Sequence, residues 1–277
     1  MPDSSVISDV VPSANYGDRR NNRAPDMIVL HYTGMKDAET ALKRLTDPAP
    51  KAGDYPGPWQ APDIDPATPL SRVSAHYVVG EDGTVFRVVD EEHRAWHAGV
   101  GSWAGQTDLN ACAIGIEIAN GGHDYGLPPY PDAQINAVIE LVGDILSRRG
   151  LLPESVIGHS DIAPARKDDP GEHFPWKRLA DAGVAIWPDA DGVARIVCKR
   201  GDRGEAVHHL HAALSAFGYD APEDESAKKA QFTETTEAIV RAFQRRFEPD
   251  ACDGVARDST MMKLEALVEM IEAGDED

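Results

Sequence analysis

The segment CAIGIEIAN at residues 112–120 places an apolar side chain at nearly every second position, which predicts a β-strand. Successive side chains of a strand point to opposite faces, so the three isoleucines share one face and Gly115 and Glu117 share the other. The strand therefore presents a carboxylate beside a glycine on the face opposite its isoleucines.

Other segments complete a pattern of alternating strands and helices. Short apolar runs and a turn signal predict strands at MIVLH (27–31) and SVIG (155–158) and a hairpin in which EDG joins SAHYVVG to TVFRVV (74–89). Helical spacing predicts helices at DAETALKRL (37–45) and DAQINAVIELVGDILSRRG (132–150), with Gly150 placed to end the second. A long Pro-rich loop at 46–70 carries Tyr55 and Trp59, which we expect to cover one wall of a groove.

The segment GHSDIAPARKDDPGEHFPW at 158–176 concentrates charge among Pro and Gly residues, which argue against a helix there. A hydrolytic zinc site uses three protein ligands and leaves one position for water. His31 and His159 each end a strand, and Asp169 can fold back towards them, which makes a possible ligand set. Asp161 could orient a ligating imidazole or cap the turn. On the residues alone, a structural role is the more common one for a histidine at a strand end.

Composition excludes several classes of function. The net charge of −20 and the lack of a basic run argue against nucleic-acid binding. The three cysteines are far apart in the sequence and form no C-x-x-C motif, which fits a reducing compartment. No segment reads as a secretory signal or as a membrane span, so the cytoplasm is favoured, with the periplasm or cell envelope as the alternative. The oligomeric state is not indicated.

The sequence changes character after about residue 190. With 277 residues the chain can form one large and one small domain, and we predict boundaries at 1–190 and 195–277, each part folding without the other. The second part reads as three short helices. Its HHLH run points His208, His209 and His211 in different directions around a helix, which argues against a metal site there.

Five ordered segments carry a resemblance to a known family: MIVLHYTG, VSAHYVVGEDGTVFRVV, RAWHAGVGSW, AIGIEIAN and GHSDIAPARKDDPGEHFPW. Together they resemble the zinc-dependent N-acetylmuramoyl-L-alanine amidases of the type-2 amidase fold, which are related to peptidoglycan recognition proteins. The resemblance covers about residues 25–182. It implies an α/β fold with a mixed central β-sheet flanked by helices, a bound Zn²⁺ and a peptidoglycan or muropeptide substrate.

The same resemblance implies roles for individual residues. The positions that match the family's motifs are His31, His159 and Asp169 as metal ligands, Glu117 as catalytic acid/base, Lys167 as the residue that stabilises the transition state, and Arg72, Trp96 and His97 along the substrate groove. Tyr32 stands where some relatives of the recycling type carry Asn, so contacts to sugar or peptide are not transferred.

The C-terminal part resembles the three-helix peptidoglycan-binding domain that accompanies wall hydrolases, with His211 in place of the usual Gln. The resemblance thus implies hydrolysis of the amide between the lactyl group of N-acetylmuramic acid and L-alanine. Two alternatives remain from the sequence: a non-catalytic peptidoglycan-recognition protein, and a zinc hydrolase of an unrelated amide. The complete set of ligand and catalytic residues favours the enzyme.

Overall fold

The computed structural model describes residues 4–55, 57 and 63–274. Its strands are β1 (Asp9–Val10), β2 (Tyr16–Asp18), β3 (Met27–Tyr32), β4 (Tyr77–Val79), β5 (Val85–Arg87), β6 (His93–Ala95), β7 (Ala113–Ile118), β8 (Val156–Gly158), β9 (Ile196–Cys198) and β10 (Ala256–Arg257). Its α-helices are α1 (Ala38–Thr46), α2 (Leu109–Cys112), α3 (Asp132–Arg149), α4 (His159–Ile162), α5 (Trp176–Asp181), α6 (Glu205–Phe217), α7 (Glu234–Phe247) and α8 (Asp258–Gly274).

Six strands form the central sheet, in the order β1-β5-β4-β7-β3-β8. Strands β4, β7, β3 and β8 run parallel to one another, whereas β5 is antiparallel to β4. The sheet is therefore mixed, and with its flanking helices it confirms the predicted fold class. Because β3, β7 and β8 are parallel, the residues at their carboxyl ends meet at one edge of the sheet.

The two faces of the sheet are covered by different parts of the chain. The alternation in β3 and β7 sends Ile28, Leu30 and the three isoleucines of β7 into a core with α3. The opposite face carries Met27 and Val29, which share a hydrophobic cluster with α6, α7 and α8. His31 and Glu117 follow the same alternation and lie on this second face, at the end of their strands.

Several predicted elements are confirmed. The hairpin forms between β4 and β5, with Gly83 in the left-handed region at φ +88° in its turn. Helix α3 ends at Gly150, which has a left-handed backbone and donates its N–H to the Leu146 carbonyl. The C-terminal part contains the three predicted helices, together with a small antiparallel pair, β9 and β10, that periodicity did not indicate.

Two expectations change. The charged segment 158–176 is not free of helix, because α4 occupies one turn at its start and α5 begins at its last residue. In α4, Asp161 accepts the Gly158 N–H at 2.8 Å, and this cap stabilises a turn that precedes the first proline. In the Pro-rich loop, Tyr55 is buried and donates to Asp47 at 2.7 Å, so its ring packs against α1; Trp59 lies outside the described residues.

Among the described residues, none of the helices is long and apolar enough to cross a membrane.

Candidate active site

Three predicted ligands converge at the carboxyl ends of β3 and β8. His31 Nδ1 lies 2.8 Å from His159 Nδ1, and Asp169 Oδ2 lies 3.0 Å from the first nitrogen and 2.9 Å from the second. All three side chains are buried. Within the described part of the chain, no other group of three His, Cys, Asp or Glu side chains brings its ligand atoms this close together. This cluster could hold a metal ion.

The second nitrogen of each imidazole shows which nitrogen is free to bind. His159 Nε2 lies 2.9 Å from the Ala98 carbonyl oxygen, which can only accept, so Nε2 carries the proton and Nδ1 presents a lone pair. His31 Nε2 lies 3.0 Å from His97 Nδ1, which can accept a hydrogen bond from the His31 Nε2–H in the same way. Two lone pairs and a carboxylate oxygen therefore face one point, and this donor set fits Zn²⁺.

The pKa shifts of His31 and Asp169 favour the protonation states that bind a metal ion. Burial, together with the nearby His159, lowers the pKa of His31 to about 4. Burial would raise the pKa of Asp169, but the hydrogen bonds and charges of His159 and His31 outweigh it and hold that pKa far below its ordinary range. At neutral pH His31 is therefore a neutral imidazole and Asp169 an ionised carboxylate, which are the forms that bind a metal ion.

His97 lies behind the cluster and is buried, with its ring 5.1 Å from that of His31. Its place depends on Gly115 of β7, because a Cβ at Gly115 would lie 2.4 Å from Cγ of the His97 ring. The family resemblance implies a place for His97 along the substrate groove. Its burial and its contact with His31 support a role in holding a ligand in position.

Glu117 lies beside His31 in the sheet, where the two residues are register partners on β7 and β3. Its Oε2 atom is buried and has no hydrogen-bond partner among the described residues. Burial, followed by the negative charge of Asp169, raises the pKa of Glu117 to about 8, although Lys167 opposes the shift. A carboxyl group that titrates near neutral pH can both accept and return a proton.

The other expected site residues are less buried than the ligand cluster. Lys167 is half-buried on the loop between α4 and Asp169, where its positive charge acts on both Glu117 and His31. Arg72 is exposed, and its guanidinium lies 5.0 Å from the half-buried Trp96 ring. These two residues form a cation–π pair, and no hydrogen bond between this pair and the ligand cluster is found in the described chain.

The groups that hold the ligand side chains in place could not be predicted from the sequence. The Ala98 carbonyl orients His159, and the phenol of Tyr130 donates to the Pro170 carbonyl at 2.7 Å, next to Asp169. Asp161 proves to be the cap of α4, and its carboxylate also accepts from Tyr219. A backbone carbonyl leaves no mark in a sequence, and the partners of Asp161 lie far along the chain.

Most remaining histidines have local structural contacts. His211 lies between Asp224 and Thr236, at 2.7 Å and 2.9 Å, inside the C-terminal part. His93 stacks on Tyr16, with ring centroids 4.4 Å apart. His123 joins the Tyr32 hydroxyl to Glu172, and its bond to Glu172 raises the pKa of His123.

Comparison with known proteins assigns the family. The family model described as N-acetylmuramoyl-L-alanine amidase matches residues 21–172, which is 152 of the 277 residues. The chain belongs to this family. A second model, for a peptidoglycan binding domain, matches residues 203–264. Both predicted resemblances are thereby confirmed, and with them the prediction that the protein is an amidase.

Individual relatives agree with the assignment. The N-acetylmuramoyl-L-alanine amidase AmiD of Escherichia coli is 34% identical over 256 residues, which cover 88% of this chain and 82% of the relative. The 1,6-anhydro-N-acetylmuramyl-L-alanine amidase AmpD of Enterobacter cloacae is 32% identical over 180 residues, covering 61% of this chain and 86% of the relative.

Solved structures extend the likeness over both parts of the amidase. The AmiD complex with the substrate anhydro-N-acetylmuramic acid-L-Ala-D-gamma-Glu-L-Lys superposes with a TM-score of 0.67 at 33% identity and covers 90% of this chain and 91% of that one. AmpDh3 of Pseudomonas aeruginosa, solved with an anhydromuramic pentapeptide, has a TM-score of 0.66 at 30% identity and covers 94% and 95%. The predicted type-2 amidase fold with a C-terminal helical part is therefore confirmed.

Proposed function

We propose that this amidase is a zinc enzyme that cleaves the bond between the lactyl carbonyl of N-acetylmuramic acid and L-alanine in 1,6-anhydro-muropeptides. The observation that carries the proposal is the convergence of His31 Nδ1, His159 Nδ1 and Asp169 Oδ2 beside the unpartnered carboxyl oxygen of Glu117. The substrate class is supported by the anhydro-muropeptides in the complexes of AmiD and AmpDh3.

His31, His159 and Asp169 would hold the ion, leaving a coordination position for water and substrate. Zinc, when bound, would polarise the amide carbonyl and lower the pKa of a water molecule. Glu117 would accept the proton of the attacking water and return it to the nitrogen of the departing alanine. Its raised pKa suits both steps, because the two protonation states are each accessible near neutral pH.

Lys167 would support the negative charge that develops on the carbonyl oxygen. Its ammonium group acts electrostatically on both Glu117 and His31, which supports a position facing the reacting atoms. Preorganised positive charge of this kind typically contributes on the order of 10²–10³ in rate. Arg72 and Trp96 are proposed to contact the substrate further from the cluster.

We propose the domain boundaries 1–190 and 195–277, with the second part binding polymeric peptidoglycan. The peptidoglycan binding domain match supports polymer as a second candidate substrate. A wall-binding module would raise the local concentration of enzyme on a polymer and add little for a soluble fragment. The proposed compartment is the cytoplasm, with the periplasm or cell envelope as alternative; buried, unpaired Cys112 and Cys198 support a reducing environment.

The test compares the two substrates in one assay. Purified protein is incubated with an anhydro-muramyl tripeptide or with insoluble sacculi, and the freed stem peptide is quantified by mass spectrometry. We expect release from the soluble fragment, its loss on chelation, and its recovery with Zn²⁺ but not with Mg²⁺. Release that survives complete removal of metal would contradict the zinc assignment, and release from sacculi alone would make polymer the substrate.

A further inference from the structure

Helix α7 carries a buried arginine that contacts the strand and the helical turn next to the ligand cluster. Arg246 is 2% exposed, and its Nη2 donates to the carbonyl of Val156 in β8 at 3.0 Å. Its guanidinium lies 4.3 Å from the ring centre of Trp176, which belongs to the N-terminal part of the chain. A cation from the C-terminal part therefore contacts the strand that leads directly to His159.

The same arginine meets the carboxylate that caps α4. Asp161 Oδ2 accepts from Arg246 Nη1 at 3.3 Å and from the Gly158 N–H at 2.8 Å, and Oδ1 accepts from the Tyr219 hydroxyl at 2.6 Å. Asp161 is 1% exposed, and it lies two residues after His159 within the same helical turn. Its carboxylate thus joins the backbone before His159 to two side chains of the C-terminal part.

A second contact lies at the other end of the loop that joins His159 to Asp169. Arg245, the neighbour of Arg246, forms an ion pair with Asp168, which immediately precedes Asp169. The two ends of the loop are also tied to each other, because the Ser160 N–H donates to the Asp169 carbonyl at 2.8 Å. Consecutive arginines of α7 therefore hold the loop beside both of the ligands that it carries.

The buried contact is not built for stability alone. Arg246 Nε is buried and has no hydrogen-bond partner among the described residues, so the ion pair leaves part of the guanidinium unsatisfied. A buried pair of this kind is often matched or exceeded in stability by apolar side chains of the same volume. What an apolar replacement cannot supply is a directional bond that fixes the Asp161 carboxylate, and with it the turn that carries His159.

We propose that Arg246 and Tyr219, acting through Asp161, are positioning residues for the metal ligand His159, so that the C-terminal helices complete the metal centre of the N-terminal part. Arg245 supports Asp169 through Asp168 in the same way. This inference rests on the proposed zinc-dependent function. It adds a second role to the helices matched as a peptidoglycan binding domain.

The test measures zinc affinity directly, in full-length protein, by competition with a chromogenic chelator. Tyr219→Phe removes one hydroxyl and keeps the ring, and Arg246→Met removes the charge. Loss of a group that supports a metal ligand typically weakens metal binding 10- to 100-fold. We expect at least a tenfold weaker zinc affinity in Arg246→Met and a smaller loss in Tyr219→Phe. The matched control is Arg241→Met on the same helix, because Arg241 pairs with Glu237 inside the C-terminal part at 2.9 Å.

A further variant keeps the test valid if Arg246→Met does not fold. Asp161→Asn combined with Arg246→Met removes both buried charges, which avoids an unpaired carboxylate in the core. Circular dichroism checks the fold, and we expect zinc affinity to stay at least tenfold below that of the wild type. Zinc affinity equal to that of Arg241→Met in both folded Tyr219→Phe and the double variant would overturn the inference. If the wild-type protein itself binds no zinc, the proposed function fails instead.

Discussion

His31 and Glu117 are register partners on adjacent parallel strands, which places a metal-ligand candidate and a proton-transfer candidate side by side at one edge of the sheet. Neither strand can slip by one residue without moving its buried isoleucines or leucines to the wrong face. The packing of the core thus fixes the relative position of the two chemical groups.

The first prediction separates proton transfer from metal binding at Glu117. Glu117→Gln keeps the shape of the side chain and removes its basicity, so we expect turnover to fall by about 10²–10⁴ while zinc content stays near that of the wild type. Initial rates on an anhydro-muramyl tripeptide and elemental analysis are the measurements. Near-normal turnover in the zinc-loaded variant would make Glu117 a structural residue.

The second prediction concerns pH and the stability of the metal-free protein. The folded state raises the pKa of Glu117 from 4.5 to about 8, so folded protein binds this proton more tightly than unfolded protein does. The stability that the folded protein gains from binding this proton is complete below about pH 4.5. It is lost as the pH rises through about 8, at up to about 1.4 kcal/mol per pH unit. Urea unfolding with chelator present should show wild type losing stability relative to Glu117→Gln between pH 5 and pH 8. A difference that does not change with pH would contradict the burial of an ionisable Glu117.

The third prediction tests the ligand set through Asp169. Asp169→Ala removes the carboxylate that both imidazoles contact, so we expect its zinc content to fall from about one ion per chain to near zero. Asp181→Asn serves as control, because Asp181 is an exposed carboxylate that pairs with Lys177 on α5. Zinc content that is the same in the two variants, after dialysis against a weak chelator, would refute the ligand role of Asp169.

The fourth prediction uses the close approach of Gly115 to His97. In Gly115→Ala the new Cβ would lie 2.4 Å from the His97 ring, and the strands on both sides of β7 prevent the backbone from moving away. We expect a loss of about 1–3 kcal/mol in the free energy of unfolding and weaker zinc binding, because His97 must leave His31. Gly143→Ala on α3, whose new Cβ would meet its nearest atom at 3.4 Å, should keep wild-type zinc affinity and a free energy of unfolding equal to that of the wild type or up to about 1 kcal/mol higher, because alanine favours a helix. Equal behaviour of the two alanine variants would show that His97 tolerates displacement.

The fifth prediction concerns a chain that ends near residue 190. The sequence favours independent folding of the two parts, but Met27, Val29 and Ile157 share a hydrophobic cluster with α6, α7 and α8. Truncation would expose this face and remove Tyr219 and Arg246, so we expect lower thermal stability and weaker zinc binding than in the full chain. Differential scanning calorimetry and chelator competition measure the two effects. A truncated protein with unchanged stability and zinc affinity would restore the view of two independent domains.

Much of the site could be predicted from contiguous residues. The alternation in β7 placed Glu117 opposite the isoleucines, and the end of the run MIVLH placed His31 at the sheet edge, as the structure has them. These inferences succeed because side-chain direction in a strand repeats every two residues, whatever the strand packs against. The residues alone offered His31, His159 and Asp169 as a possible ligand set, and the family resemblance implied their roles as ligands. The convergence of the three side chains agrees with both.

Tertiary packing alone decided what supports those residues. Nothing in the local sequence distinguishes His97 from a residue of the substrate groove. In the folded structure its ring lies against Gly115, where no Cβ blocks it, and contacts His31. Asp161 finds Tyr219 and Arg246 at 58 and 85 residues along the chain, and no local pattern records such a pairing. The sequence determined the strands, their faces and the set of chemical groups, because these depend on neighbours along the chain. The orientation of the ligands was decided only by the folded structure, because it depends on side chains that meet after distant segments have packed against the same face of the sheet.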